Sequence, residues 1–191
     1  RPLAGRVEIH DYDPGWPRLY QREEDRIRSV LGDRVIRIEH VGSTAVPSLP
    51  AKPLIDIVLE VADSADEAAY VPAMESAGYV LRIREPDWYE HRLLKGPDTE
   101  VNVHVFTAGS EEVDRMLLFR DWLRANAADR ELYAEKKRLL AGRDWKYMQQ
   151  YADAKAVPPT EVTKGSPLAP GASPSALPRF FEVRPPREFG P

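Results

Sequence analysis

Glu39-His40-Val41-Gly42-Ser43-Thr44, a short loop, and then Lys52-Pro53-Leu54-Ile55-Asp56-Ile57 form the stretch that decides how this chain folds. A β-branched segment, Val35 to Val41, reads as a strand that runs into Gly-Ser. Three prolines between Gly42 and Pro53 keep the connection a loop. Leu54 to Val61 is a near-continuous apolar run, as expected of a central strand covered on both sides, and Asp56 interrupts it. Glycine lets backbone amides approach a phosphate, and the serine adds a hydroxyl donor. A carboxylate inside an apolar strand is costly unless it is paired or binds a cation. Two readings of this stretch stand. In one, Gly42 and Ser43 cradle an anion and Asp56 does chemistry beside it. In the other, Gly42-Ser43 is only a turn, and Asp56 caps a loop or pairs with Lys52.

Working outward, the pattern alternates. Asp13 can cap a helix, with Pro14 in its first turn, a stripe of Trp16, Leu19, Tyr20, Ile27, Val30 and Leu31, and Gly32 as its stop. Ser64 with Glu67 reads as a capping box for a helix that ends at Gly78. Tyr79 to Arg84, Tyr89 to Lys95 and Glu100 to Phe106 read as three strands. Ser110 caps a helix that opens with Glu111 and Glu112. The helical period continues to Val157, with breaks near Asn126 and at Gly142-Arg143-Asp144. The expected fold is therefore α+β: a mixed sheet of about five strands with helices on it and a helical C-terminal cap.

The chain has 191 residues, which suits one domain with an appendage. Residues 1–6 read as a linker or a trimmed N-terminus, and residues 7–157 as the domain. Residues 158–191 read as a disordered tail, because they hold nine of the 18 prolines and few core-forming residues. A formal net charge of −4 disfavours a large nucleic-acid-binding surface. The absence of cysteine excludes disulfides, thiolate metal sites and a cysteine nucleophile, and fits a reducing cytosol. No run approaches a membrane span of about 20 apolar residues. A cytoplasmic protein is expected.

Cations and aromatics recur at structured spacings. His91 and Lys95 share one face of their strand, with Arg92 on the other, and Arg82 and Arg84 share a face of the strand before it. Tyr133/Lys137 and Tyr151/Lys155 are i, i+4 pairs that could clamp an anion from a helix face. They equally suit surface packing. Trp88, Trp122 and Trp145 read as core or interface residues, and His10 as polar surface.

The stretch His40 to Ile57 resembles the GrpB family in wording. So do Glu90-His91-Arg92, Asn102-Val103-His104-Val105-Phe106, Tyr133 with Lys137, and Tyr151 with Lys155. The resemblance runs from about Val7 to Val157. Gly-Ser followed by an acid on the next strand resembles the wider nucleotidyltransferase superfamily signature. This resemblance implies a nucleotidyltransferase-like fold and a transferase-type activity on a nucleotide or other phosphorylated small molecule. It also implies a history of fusion behind dephospho-CoA kinase in actinobacteria, in which the domain would support the kinase without catalysing a reaction. Typical members of the superfamily carry a second acid two positions after the first and a third on a later strand. Here those places hold Val58 and His104. Two Mg²⁺ ions about 4 Å apart need several bridging carboxylates, whereas Asp56 with His104 could hold a single divalent ion. Imidazole favours a transition metal over Mg²⁺. The expected site therefore has Asp56 and His104 as catalytic or metal-binding residues. Gly42, Ser43, Thr44, Lys52, His91, Arg92, Lys137, Tyr151 and Lys155 surround a small anionic or phosphorylated ligand.

Overall fold

The structure, a computed structural model, describes residues 8–141. The expectations for residues 1–6, the break at Gly142, Trp145, Tyr151, Lys155 and the tail lie outside the described residues.

Five strands form one mixed sheet: β1 (Arg37–Val41), β2 (Ile55–Val61), β3 (Val80–Glu85), β4 (His91–Lys95) and β5 (Val101–Thr107). Their spatial order is β1-β2-β5-β4-β3. β2 and β5 run parallel, and the other neighbours are antiparallel. The two parallel strands are central, so most of their side chains are buried on both faces, which explains the near-continuous apolar sequence of β2 and the valines of β5.

Four α-helices stand among the described residues: α1 (Trp16–Leu31), α2 (Val71–Ser76), α3 (Glu111–Ala125) and α4 (Ala127–Ala141). Alternation along the strands sends Ile57, Leu59, Val103 and Val105 to one face, where they pack with Ile27 and Leu31 of α1 and Met74 of α2. Val41, Val58 and Phe106 point to the other face and pack with Val113 and Met116 of α3. Val46 and Leu49, in the loop before β2, join Phe119, Leu123 and Tyr133 of α3 and α4 in a third cluster. The helical C-terminal layer thus holds the β1–β2 connection. No helix among the described residues is long and apolar enough to cross a membrane.

The caps differ from expectation for traceable reasons. Asp13 accepts a hydrogen bond from the Gly15 amide at 2.7 Å and closes a turn ahead of α1, so Pro14 lies outside the helix and Pro17 occupies its first turn. Ser64 and Glu67 form no capping box. The Ser64 hydroxyl donates to the Glu90 carbonyl at 2.9 Å, the Glu67 carboxylate binds Arg84 and Arg92, and α2 begins only at Val71. Ser110 occupies the N-cap of α3 without a side-chain cap bond. The break at Asn126 is present: its amide and side chain both donate to the Trp122 carbonyl, ending α3 before α4 begins.

Candidate functional site

β1 ends at Val41, the register partner of Asp56 on β2. The chain then turns at Gly42, whose φ of +73° suits glycine, into a single 3₁₀ turn, Ser43–Ala45. A Cβ at Gly42 would lie 2.9 Å from Asp56 Oδ2. The turn and the carboxylate are therefore packed against each other, and only glycine allows that approach. The Thr44 hydroxyl donates to the Leu54 carbonyl at 3.0 Å and contacts His40 Nε2 at 2.9 Å, tying the turn to the start of β2. His40 stacks on Tyr20 of α1, and burial pushes its pKa down to about 4. From α3, Arg120 donates to the His40 carbonyl and Arg124 to the Ala45 carbonyl. The turn is held from three sides.

Asp56 begins a polar chain along the sheet. Its Oδ1 accepts from Asn102 Nδ2 at 3.0 Å and meets His104 Nε2 at 3.3 Å. His104 Nδ1 meets His91 Nε2 at 3.0 Å, and His91 Nδ1 meets Glu85 Oε2 at 2.7 Å. Trp88 and Phe106 pack around the His91 ring. Burial holds His91 down at about 4, although the Glu85 hydrogen bond opposes that shift. With His91 neutral, one of its ring nitrogens donates and the other accepts. Glu85 accepts from His91 Nδ1–H, so His91 Nε2 is an acceptor and His104 Nδ1 must donate to it. With Nδ1 carrying the His104 hydrogen, the contact between His104 Nε2 and Asp56 Oδ1 has room for one proton between them. The arrangement is suited to holding and moving one proton at the Asp56 end.

Of the expected site residues, the structure brings together Gly42, Ser43, Asp56 and His104, with His91 behind His104. Lys52 lies exposed on the loop leading into β2. Three residues are placed otherwise. Thr44 is only 2% exposed, and its hydroxyl is spent inside the turn. Arg92 points to the α2 side of the sheet, away from Asp56, with its Nε on Glu67 at 2.6 Å. Lys137 is 2% exposed; its ammonium donates to the Pro50 carbonyl at 2.6 Å and lies over the Tyr133 ring. Arg92 and Lys137 are structural cations here, because their donors already have protein acceptors.

Among the described residues no group of three or more His, Asp or Glu side chains is placed to hold a metal ion. One carboxylate, one amide and an imidazole do not make a two-metal centre. Residues missed as site members are Glu85, Asn102 and Lys95. Strand alternation carries the signal for two of them, because Asn102 shares a face with His104 and Lys95 with His91; Glu85 depends on its pairing with His91 across β3 and β4.

The sequence matches the family described as GrpB protein over residues 6–164. A UPF0157 protein of Halalkalibacterium halodurans is 58% identical over 164 residues, which is 86% of this chain and 84% of that protein. The crystal structure of conserved protein GrpB from Enterococcus faecalis is similar with a TM-score of 0.66 and 27% identity, covering 78% of this chain and 94% of that one. A dephospho-CoA kinase of Mycolicibacterium paratuberculosis is 32% identical over 158 residues, which is 69% of this chain but 39% of that protein.

Proposed function

This chain belongs to the GrpB family, and within that family we propose that it binds a phosphorylated small molecule, nucleotides included, at the Gly42–Ser43 turn, where Asp56 handles the proton of a transferase-type reaction. The observation that carries this reading is the Asp56 carboxylate, packed against the glycine turn and backed by His104, His91 and Glu85. Here Oδ1 has two polar neighbours, while Oδ2 faces the turn.

The chemistry assigned to each residue follows from its position. Gly42 and Ser43 offer the backbone approach and a hydroxyl to a phosphate. Lys52 adds positive charge from the loop. Asp56 accepts the proton of an attacking hydroxyl, and His104 shares it through their direct contact. His91 and Glu85 orient His104. No step is routed through a metal: among the described residues no three His, Asp or Glu side chains converge on one.

A second reading is favoured by the likeness to dephospho-CoA kinases, in which the matched stretch is a minor part of a longer chain. The domain would then bind a ligand or partner without catalysis and support a fused kinase. A thermal-shift screen of nucleotides and coenzyme A precursors, with and without Mg²⁺, Mn²⁺ and Zn²⁺, tests both readings. A ligand at 100 times its Kd adds about 2.7 kcal/mol of apparent stability. The first reading expects a phosphorylated ligand whose binding is lost in Gly42→Ala, and whose turnover, but not binding, is lost in Asp56→Asn. A screen in which no phosphorylated compound raises the melting temperature would overturn it. A bound ligand that is never turned over would favour the second.

A further inference from the structure

The face of the sheet that holds Asp56 carries two more polar groups with no assigned task. Register pairs Asp56 with Asn102 across β2 and β5, and Asn102 with Lys95 across β5 and β4. The three side chains therefore stand in one row. Asn102 spends its amide nitrogen on Asp56, and its Oδ1 is buried without any donor among the described residues. Flipping the amide would not remove this orphan, because it would set Oδ1 against the carboxylate and strand the NH₂ instead. Lys95 is half-buried and forms no hydrogen bond or ion pair among the described residues. Asp56 and Glu100 attract it, Lys52 and Arg82 repel it, and burial holds its ammonium below the ordinary lysine range. The row thus contains an acceptor without a donor beside a cation that forms no ion pair among the described residues. Buried polar groups in this condition are uncommon and call for a partner.

We propose that Lys95 and Asn102 form a subsite for a phosphorylated alcohol, with Lys95 on the phosphate and Asn102 Oδ1 accepting from the ligand's hydroxyl. Lysine offers only donors and Asn102 Oδ1 only accepts, so the ligand must present an anion and a hydrogen-bond donor, here taken as a hydroxyl, a few ångströms apart. Lys52, near enough to repel Lys95, adds a second positive charge beside it for an anion to meet. This inference rests on the reading that the turn-side pocket takes a phosphorylated ligand, and it adds the ligand class and two specificity residues.

The test is titration calorimetry on the full chain with glycerol 3-phosphate and inorganic phosphate as probes, repeated on Lys95→Met and Asn102→Leu. Lys95→Met should weaken both probes about ten- to a hundred-fold. Asn102→Leu should weaken glycerol 3-phosphate about tenfold and leave inorganic phosphate unchanged. The wild-type chain, which needs no folded variant, should prefer glycerol 3-phosphate over inorganic phosphate, and equal affinity would overturn the hydroxyl contact. Wild-type affinity for glycerol 3-phosphate in both variants overturns the subsite. If Gly42→Ala abolishes binding that Lys95→Met retains, the proposed function stands and this subsite falls. If the wild-type chain binds neither probe, the phosphorylated-alcohol class is wrong, and the broader reading falls only when the nucleotide screen is also blank.

Discussion

Arg92 and Lys95 sit three residues apart on β4 and face opposite sides of the sheet, and their surroundings could hardly differ more. Arg92, with its side chain 7% exposed, places Nε on Glu67 and Nη1 on the Glu90 and His91 carbonyls, while Arg84 binds the same Glu67. Lys95 is half-buried with neither hydrogen bond nor ion pair among the described residues. Burial therefore does not separate these two cations; completeness of pairing does. A saturated ion cluster contributes to holding α2 against the sheet, whereas an unsaturated one leaves capacity for a ligand.

The sharpest way to break this comparison is to remove the partner on the saturated side. Glu67→Ala leaves the Arg92 guanidinium buried with backbone acceptors but without its closest carboxylate. Breaking such a pair costs roughly 3–5 kcal/mol. The expected result is a large drop in the urea midpoint. Arg84→Met, which removes a more exposed partner, should cost under about 1 kcal/mol. Equal, small effects in both variants would mean that the cluster is as solvated as a surface pair.

A smaller effect is expected from pH, because each face buries a histidine: His40 against α1, and His91 between Glu85 and His104. Both are held at about 4 by burial, below the unfolded value of about 6.5. Between those values the unfolded chain binds more protons, so stability falls as pH drops from 6.5 towards 4. The loss is at most about 3 kcal/mol per histidine. Glu67 is depressed instead, chiefly by its Arg84 hydrogen bond, so its contribution is lost only at still lower pH. A chemical-denaturation series from pH 7 to pH 4.5 checks this. His91→Gln should flatten part of the slope, and a wild-type profile that is flat over the window rules out the buried neutral histidines.

How much of this was legible in the sequence depended on range. The strands were readable because Leu54 to Val61 is a near-continuous apolar run and Glu100 to Phe106 alternates valines with polar residues, local patterns with one structural meaning. Asn126 was readable as a helix break for the same reason. The Ser64–Glu67 capping box was not correct, because the hydroxyl bonds Glu90 and the carboxylate bonds Arg84 and Arg92, partners that only the folded sheet brings near. Arg92 was grouped with Asp56 although strand alternation already set it on the opposite face from His91 and Lys95. Lys137 was a cation at helical spacing from Tyr133. Nothing local announced that its acceptor would be the Pro50 carbonyl. Glu85 was invisible as a site member, since its role depends on an antiparallel register with His91.

The turn itself is tested by Gly42→Ala. The added methyl would meet Asp56 Oδ2 at 2.9 Å, and alanine would carry a φ of +73° that costs an L-residue about 1–2 kcal/mol. A loss of that size with unchanged secondary structure is expected. Combining it with Asp56→Ala should recover part of the loss, since the steric component disappears with the carboxylate. No recovery would mean that backbone strain alone sets the cost.

The smallest stability effect is expected at Lys95, where the contrast with Arg92 is most direct. Burial disfavours the charged form of Lys95, and no ion pair among the described residues compensates. Folding therefore gains nothing from this ammonium. Lys95→Met keeps the aliphatic stem packed and removes the desolvated charge, so the melting temperature should stay the same or rise slightly, within about 0.5 kcal/mol in stability. Anion affinity should fall in the same variant. The sign of each change matters more than its size: Glu67→Ala loses stability, while Lys95→Met loses affinity and keeps stability. If Lys95→Met instead melted several degrees lower, Lys95 would be contributing to the fold as Arg92 does. The two faces of β4 would then be alike, and pairing would no longer distinguish the candidate site from the scaffold.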